Sequence, residues 1–130
     1  MYILTLRTDQ PEAEIGLYSD KRQVDYRTWL AHRQLAETIH LKISELVAGQ
    51  KLDLKQLGGV VIFQGPGSFT GLRIGITVAN ALADSLAIPI IGAMDPDWIQ
   101  TGLARLLGGE HDKAVVPEYG ALPNITAPRK

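Results

Sequence analysis

An α/β domain built on a mixed sheet is what this sequence predicts, and three observations carry the prediction. Three short runs before residue 30 read as strands, and two of them, Ala13 to Tyr18 and Val24 to Trp29, alternate polar and apolar residues as half-buried antiparallel strands do. Two later runs, Gly59-Val60-Val61-Ile62-Phe63-Gln64 and Pro89-Ile90-Ile91-Gly92, are almost wholly apolar, as buried strands are. Segments of three- and four-residue periodicity separate and follow them, the pattern of helices packed on a sheet.

Tyr2 to Leu6 is the first expected strand, Ala13 to Tyr18 the second and Val24 to Trp29 the third, joined by turn-forming residues at Asp9-Gln10-Pro11-Glu12 and Ser19-Asp20-Lys21. The period then changes. Leu35, Ile39, Ile43, Leu46 and Val47 mark one face of a helix that starts near Arg33 and is ended by Gly49. A helical turn over Asp53 to Leu57 leads into the buried strand at Gly59. Ile76 to Ala87, free of Pro and Gly, reads as the second helix, and Pro89 to Gly92 as the last strand. Asp95 is placed to cap a third helix with Pro96 at its first position, with Trp98, Leu103, Leu106 and Leu107 on its buried side and Gly108-Gly109 as its stop. Val115-Val116 reads as a final extended piece, and the tail with Pro117, Pro123 and Pro128 as irregular.

Composition narrows the function classes. The 130 residues suit one domain with a sizeable core, and 45% hydrophobic with 21% charged residues is a globular balance. A net charge of −1 gives no basis for strong independent binding of nucleic acid. Without cysteine there are no disulfides and no thiolate metal sites. The N-terminus lacks a signal-peptide pattern, and the uncharged stretch Ile74 to Ala83 falls well short of the ~20 residues a membrane span needs. These features predict a cytoplasmic protein with no membrane role.

The most informative stretch is Gly65-Pro66-Gly67-Ser68-Phe69-Thr70-Gly71-Leu72-Arg73-Ile74-Gly75, between the buried strand and the second helix. Its composition predicts a tight turn, with Ser68 or Thr70 capping the helix. Such a turn is able to cradle a phosphate. Its spacing matches neither phosphate-binding fingerprint, because Leu72 stands where a P-loop has Lys and Thr70 where a dinucleotide turn has its third Gly. Further on, Gly71, Gly75, Ala79, Ala83 and Ala87 fall at successive four-residue steps and form one small-residue stripe. With Ile74, Val78, Leu82, Leu72, Ile76 and Leu86 the helix is apolar around most of its circumference, so burial on more than one side is expected. Of the two sides, the stripe is expected to face a partner rather than the sheet.

Three meander strands, helix, strand, helix, strand is the order of a ribonuclease-H-like half-domain, the unit doubled in actin and sugar-kinase folds. The glycine-rich stretch resembles the signature of the TsaB (YeaZ) family of bacterial tRNA threonylcarbamoyladenosine biosynthesis proteins. Ile3-Leu4-Thr5-Leu6, His32 with Gln34, Pro89 to Gly92 and Pro117-Glu118-Tyr119 fit in order. The resemblance implies a non-catalytic paralogue of TsaD, the enzyme that transfers a threonylcarbamoyl group to the adenosine beside the anticodon. It implies a TsaD-type heterodimer through paired helices, with a homodimer as a further form. A TsaE-type ATPase and tRNA would be met only through that complex, and the protein would need no cofactor or metal of its own. On this basis the motif turn comprises Gly65 to Gly71 with Arg73 and Gly75. The partner surface is expected at Leu35 and Ile39 of the first helix and Leu72, Ile76, Ala79, Asn80 and Ala83 of the second.

Two departures from the family stand out. The family's second half-domain has no counterpart in these 130 residues, so the expectation is a single lobe with an irregular tail from about residue 113. The usual acidic residue of the first turn is Arg7 here, which argues against metal–phosphate chemistry while leaving Arg7 able to meet an anion. Of the remaining candidates, His32, Asp95, Asp97 and His111 are expected to form no metal centre: no carboxylate completes a set with His32 and His40, and Asp95 and Asp97 read as cap and first-turn residues. Ser68 has no base near it in sequence, and Trp29 and Trp98 read as core aromatics. The alternatives are a small nucleotide-binding enzyme using the Gly65–Gly71 turn and a homodimeric interaction module without a tRNA role.

Overall fold

The computed structural model describes residues 1–94 and 96–119, without the side chain of His32. Strands β1 (Tyr2–Arg7), β2 (Glu12–Ser19) and β3 (Arg22–Leu30) form the antiparallel meander, and β4 (Leu57–Phe63) and β5 (Ile90–Ala93) extend it in parallel. The single sheet has the order β3-β2-β1-β4-β5. Helix α1 (Leu35–Gly49) follows a 3₁₀ turn at His32–Gln34; α2 (Phe69–Leu86) joins β4 to β5, and α3 (Trp98–Leu107) follows β5. The result is the mixed α/β, ribonuclease-H-like half-domain that the order of elements predicts.

Parallel pairing of β1 with β4 and of β4 with β5 requires crossovers, and α1 and α2 supply them. Leu35, Ile39, Ile43, Leu46 and Val47 are the buried side of α1, as their spacing predicts. On the other face α3 presses so close that a Cβ on Gly102 would collide with Val61. Phe63 meets Trp98 edge-on at 5.8 Å between ring centroids, so Trp98 is a core aromatic. Trp29 instead packs at the margin of the core, its indole N–H donating to Thr38 Oγ1 at 3.0 Å. Asp53 and Gln56 form a reciprocal capping box around the short turn before β4.

Three placements depart from expectation. Helix α2 starts at Phe69, seven residues before Ile76, because Gly71 and Gly75 serve close packing inside the helix rather than the turn. Helix α3 starts at Trp98, with Asp97 at its N-cap position and Pro96 in the preceding turn, so Pro96 is not a first helical residue. The capping role expected of Asp95 lies outside the described residues, as do Pro123 and Pro128 of the tail. Val115-Val116 is not a strand; amide side chains hold it in place of a ladder.

The two edges of the sheet differ. The outward backbone groups of β5 are taken by Arg105 of α3 and the segment after it. His111 Nδ1 accepts from Ile90 N–H at 3.1 Å, and the Ile90 C=O accepts from Asp112 N–H at 2.9 Å. Asp112 Oδ2 accepts from Gly92 N–H at 2.9 Å, while Arg105 donates to the Gly92 C=O at 3.1 Å and pairs with Asp112 at 2.7 Å. At the other end, β3 is nine residues long and, among the described residues, has a sheet neighbour only in β2.

Candidate functional site

The turn after β4 is shaped by what it must pass. Gly65 has φ +125°, a conformation that side chains with a Cβ rarely adopt, and a Cβ there would collide with the Glu118 carbonyl. Ser68 occupies the N-cap position of α2, yet its side chain makes no capping bond. The expected cap by Ser68 or Thr70 is therefore not formed. Both residues are exposed, and Thr70 lies on the outer surface of the helix.

Inside the turn stands a carboxylate. Asp9, with a side chain only 6% exposed, lies against Gly67, where a Cβ would come within 2.8 Å of Asp9 Oδ2. Arg7 Nε donates to Asp9 Oδ1 at 2.8 Å, and the guanidinium rests 4.0 Å from the centroid of the Phe63 ring. The hydrogen bond to Asp9 raises the Arg7 pKa above its ordinary value. Arg7 is thus engaged by its own chain rather than presented to an anion. The ion pair leaves the turn without a free cation at Arg7 to meet a phosphate, and this weighs against the nucleotide reading.

The small-residue stripe faces inward as far as Ala83, whereas Ala87, the left-handed residue that ends α2, is exposed. Gly75, Ala79 and Ala83 are buried, and Cβ atoms on Gly71 or Gly75 would collide with Thr8. Thr8 Oγ1 donates to the Gly71 C=O at 2.8 Å, fixing α2 on the end of β1. The expectation that the stripe meets a partner is corrected: it lies on this chain's own core. The expected surface is corrected with it. Leu35, Ile39, Leu72, Ile76, Ala79 and Ala83 are all 4% exposed or less, and such residues have almost no area to offer another protein. Asn80 is also committed within the chain, to both backbone groups of Val115.

What the two helices do present is a groove of about 450 Å³, lined by Ala36 and His40 of α1 and Thr70, Arg73, Ile74, Thr77 and Val78 of α2. Arg73 lies 5.4 Å from the centroid of the exposed Phe69 ring. Of the motif turn, only Thr70 and Arg73 reach this groove; Gly67 lies against Asp9 and Gly75 against Thr8. Sequence reasoning counted Ile74 and Val78 among the apolar residues of this helix but left them out of the expected partner surface, although one further signal was present. Arg73 and Asp84 are the only charged residues among the 18 of α2, unusually few for a helix with a solvent-facing side.

His111 accepts from the backbone N–H groups of Ile90 and Lys113, both at 3.1 Å, and shapes the segment beside β5. Asp97 stands at the start of α3, while Asp95 and the His32 side chain lie outside the described residues. Among the described residues no three His, Asp or Glu converge in the manner of a metal site, and no helix is long and apolar enough to cross a membrane.

Residues 29–97 match the family model described as TsaD, tRNA N6-adenosine threonylcarbamoyltransferase. The tRNA threonylcarbamoyladenosine biosynthesis protein TsaB of Bacillus subtilis is 56% identical over 91 residues, covering 69% of this chain and 39% of the relative. TsaB of Escherichia coli is 28% identical over 113 residues, covering 82% of this chain and 48% of the relative. The chain thus spans about half, or less, of the length of these curated relatives. Among solved structures, YeaZ from Pseudomonas aeruginosa superposes with a TM-score of 0.67 at 26% identity, over 72% of this chain and 44% of that one.

Proposed function

This chain belongs to the TsaB (YeaZ) family, and from that premise we propose that it is a non-catalytic partner of a TsaD-type threonylcarbamoyltransferase in forming threonylcarbamoyladenosine on tRNA. The observation that carries the reading is the groove between α1 and α2, where half-buried Ile74 and Val78 meet solvent on a helix with few charges. An outward apolar groove on paired helices suits a second helical pair, whose side chains would fill it ridge into groove. The role assigned to the chain is to offer this surface. A TsaE-type ATPase and tRNA are engaged through the resulting complex. The nucleotide-enzyme alternative has less support, because Asp9 fills the space behind the turn it would use and holds Arg7 in an ion pair.

The test is co-purification and titration calorimetry with the TsaD-type enzyme of the same genome. Ile74→Asp places a charge in the groove, which a docked partner would have to desolvate. It is expected to weaken binding by at least tenfold, about 1.4 kcal/mol, while the variant stays folded. Unchanged affinity would remove the groove from the interface.

A further inference from the structure

We propose that residues 115–119 are an intramolecular peptide ligand, and that occupancy of their cleft sets the rim of the α1–α2 groove, a coupling that rests on the partner reading above. Gln64, at the end of β4, and Asn80 and Phe69, on α2, build the cleft. Asn80 grips Val115 twice, its side-chain amide donating to the Val115 C=O and its oxygen accepting from the Val115 N–H, both at 2.9 Å. Gln64 takes the next two steps. Its side chain donates to the Val116 C=O at 2.8 Å, and its backbone C=O accepts from Glu118 N–H at 2.9 Å. The Tyr119 ring then stacks on Phe69, with centroids 4.5 Å apart.

All four of these hydrogen bonds go to the main chain of the segment. That is how peptide sites hold an extended ligand, leaving specificity to side-chain anchors. Here the anchors are Val115, packed against Gly92 where a Cβ would come 2.7 Å from its Cγ1, and Tyr119 on Phe69. Val116, between them, is 69% exposed and contributes little. Phe69 links cleft to groove, for Tyr119 stacks on it and Arg73, which lines the groove, lies 5.4 Å from its centroid. Losing Tyr119 frees the Phe69 ring, and with it the Arg73 guanidinium.

The experiment uses the full chain carrying Val115→Ala and Tyr119→Ala, which weakens the ligand and leaves the cleft intact. Faster amide exchange at Val115 and Glu118 is expected, with affinity for the TsaD-type partner lowered about tenfold, within the usual range of coupling between sites. A free acetylated hexapeptide with the sequence of residues 114–119 is the probe. It is expected to bind this variant saturably, to restore its partner affinity, and to do neither when Asn80→Ala is added. Rescue from outside the chain is a readout that loss of folding alone would not give. Affinity equal to that of the unaltered chain, or a loss that saturating peptide leaves unchanged, would overturn the coupling while Ile74→Asp still weakens binding and upholds the partner reading. If Ile74→Asp has no effect, the partner reading and the coupling both fall. The cleft is then judged on peptide capture alone: capture abolished by Asn80→Ala supports it, and no capture overturns it.

Discussion

Gly75→Ala sets two effects of opposite sign against each other. In an exposed helix the change would be stabilising, by about 1 kcal/mol of backbone propensity. In α2 the new methyl would run into Thr8 Oγ1, with Thr8 Cγ2 at 2.8 Å and Cβ at 2.9 Å, and Thr8 is 1% exposed with no room to retreat. Overpacking of this kind costs roughly 1–3 kcal/mol, and disturbing the Thr8 hydroxyl bond to the Gly71 carbonyl about 0.5–1.5 more. The net expectation is a loss of about 1–3 kcal/mol, which at this size lowers the melting midpoint by several degrees. Thermal and urea unfolding followed by circular dichroism measure it directly. A double-mutant cycle isolates the cause, because Thr8→Ala removes the two outer colliding atoms and Gly75→Ala should then cost far less. If Gly75→Ala matched the unaltered chain in stability, or cost the same in both backgrounds, the close seating of α2 on β1 would be refuted.

Ala79→Leu, at a fully buried position of the same stripe, is expected to lower the melting temperature by an amount equivalent to roughly 1–3 kcal/mol; undiminished stability with lost partner binding would return the stripe to the interface. Burial first, and then the hydrogen bond to Glu14, raises the Tyr26 pKa. The protonated phenol is the form the fold favours, so its contribution is full below pH about 10, the unfolded value, and declines as pH rises toward the folded one. Alkaline unfolding of the unaltered chain and Tyr26→Phe should show a shallower decline in the variant, and equal slopes would contradict this. Millimolar ATP with magnesium is expected to leave the melting temperature unmoved, since the Arg7–Asp9 pair leaves no free cation at Arg7 for a phosphate at the Gly65–Gly71 turn; a rise of several degrees would restore the nucleotide reading.

The order of strands and helices was legible because alternation and helical periodicity are local signals, and α1 shows it best: its spacing named all five residues that the fold buries. The stripe on α2 was equally visible, but periodicity shows that residues share a face and not which neighbour the face meets. Thr8 supplies the answer from 63 residues away in the case of Gly71, and no window of sequence contains that contact. Asn80 was misread for the same reason, since its partner Val115 lies 35 residues on. Arg7 was legible as a departure from the family's acidic turn, but its pairing with Asp9 depends on how the chain bends after β1. Gly71 and Gly75 delayed the expected start of α2 because glycine marks turns and tight packing alike.

The contrast between the sheet's two margins limits how copies of this chain can misassemble. A strand arriving from another molecule needs a free row of backbone donors and acceptors, and at the β5 margin His111, Asp112 and Arg105 already answer the outward groups of Ile90 and Gly92. Among the described residues, only β3 remains to be extended. Joining two copies through that margin consumes the open edge of both, so the union stops at a pair with no ladder left to propagate. Fibre growth by strand addition needs two receptive ends on every unit. Among the described residues this sheet has one, and Arg105 of α3 with the segment that follows keeps it so until they are pulled away.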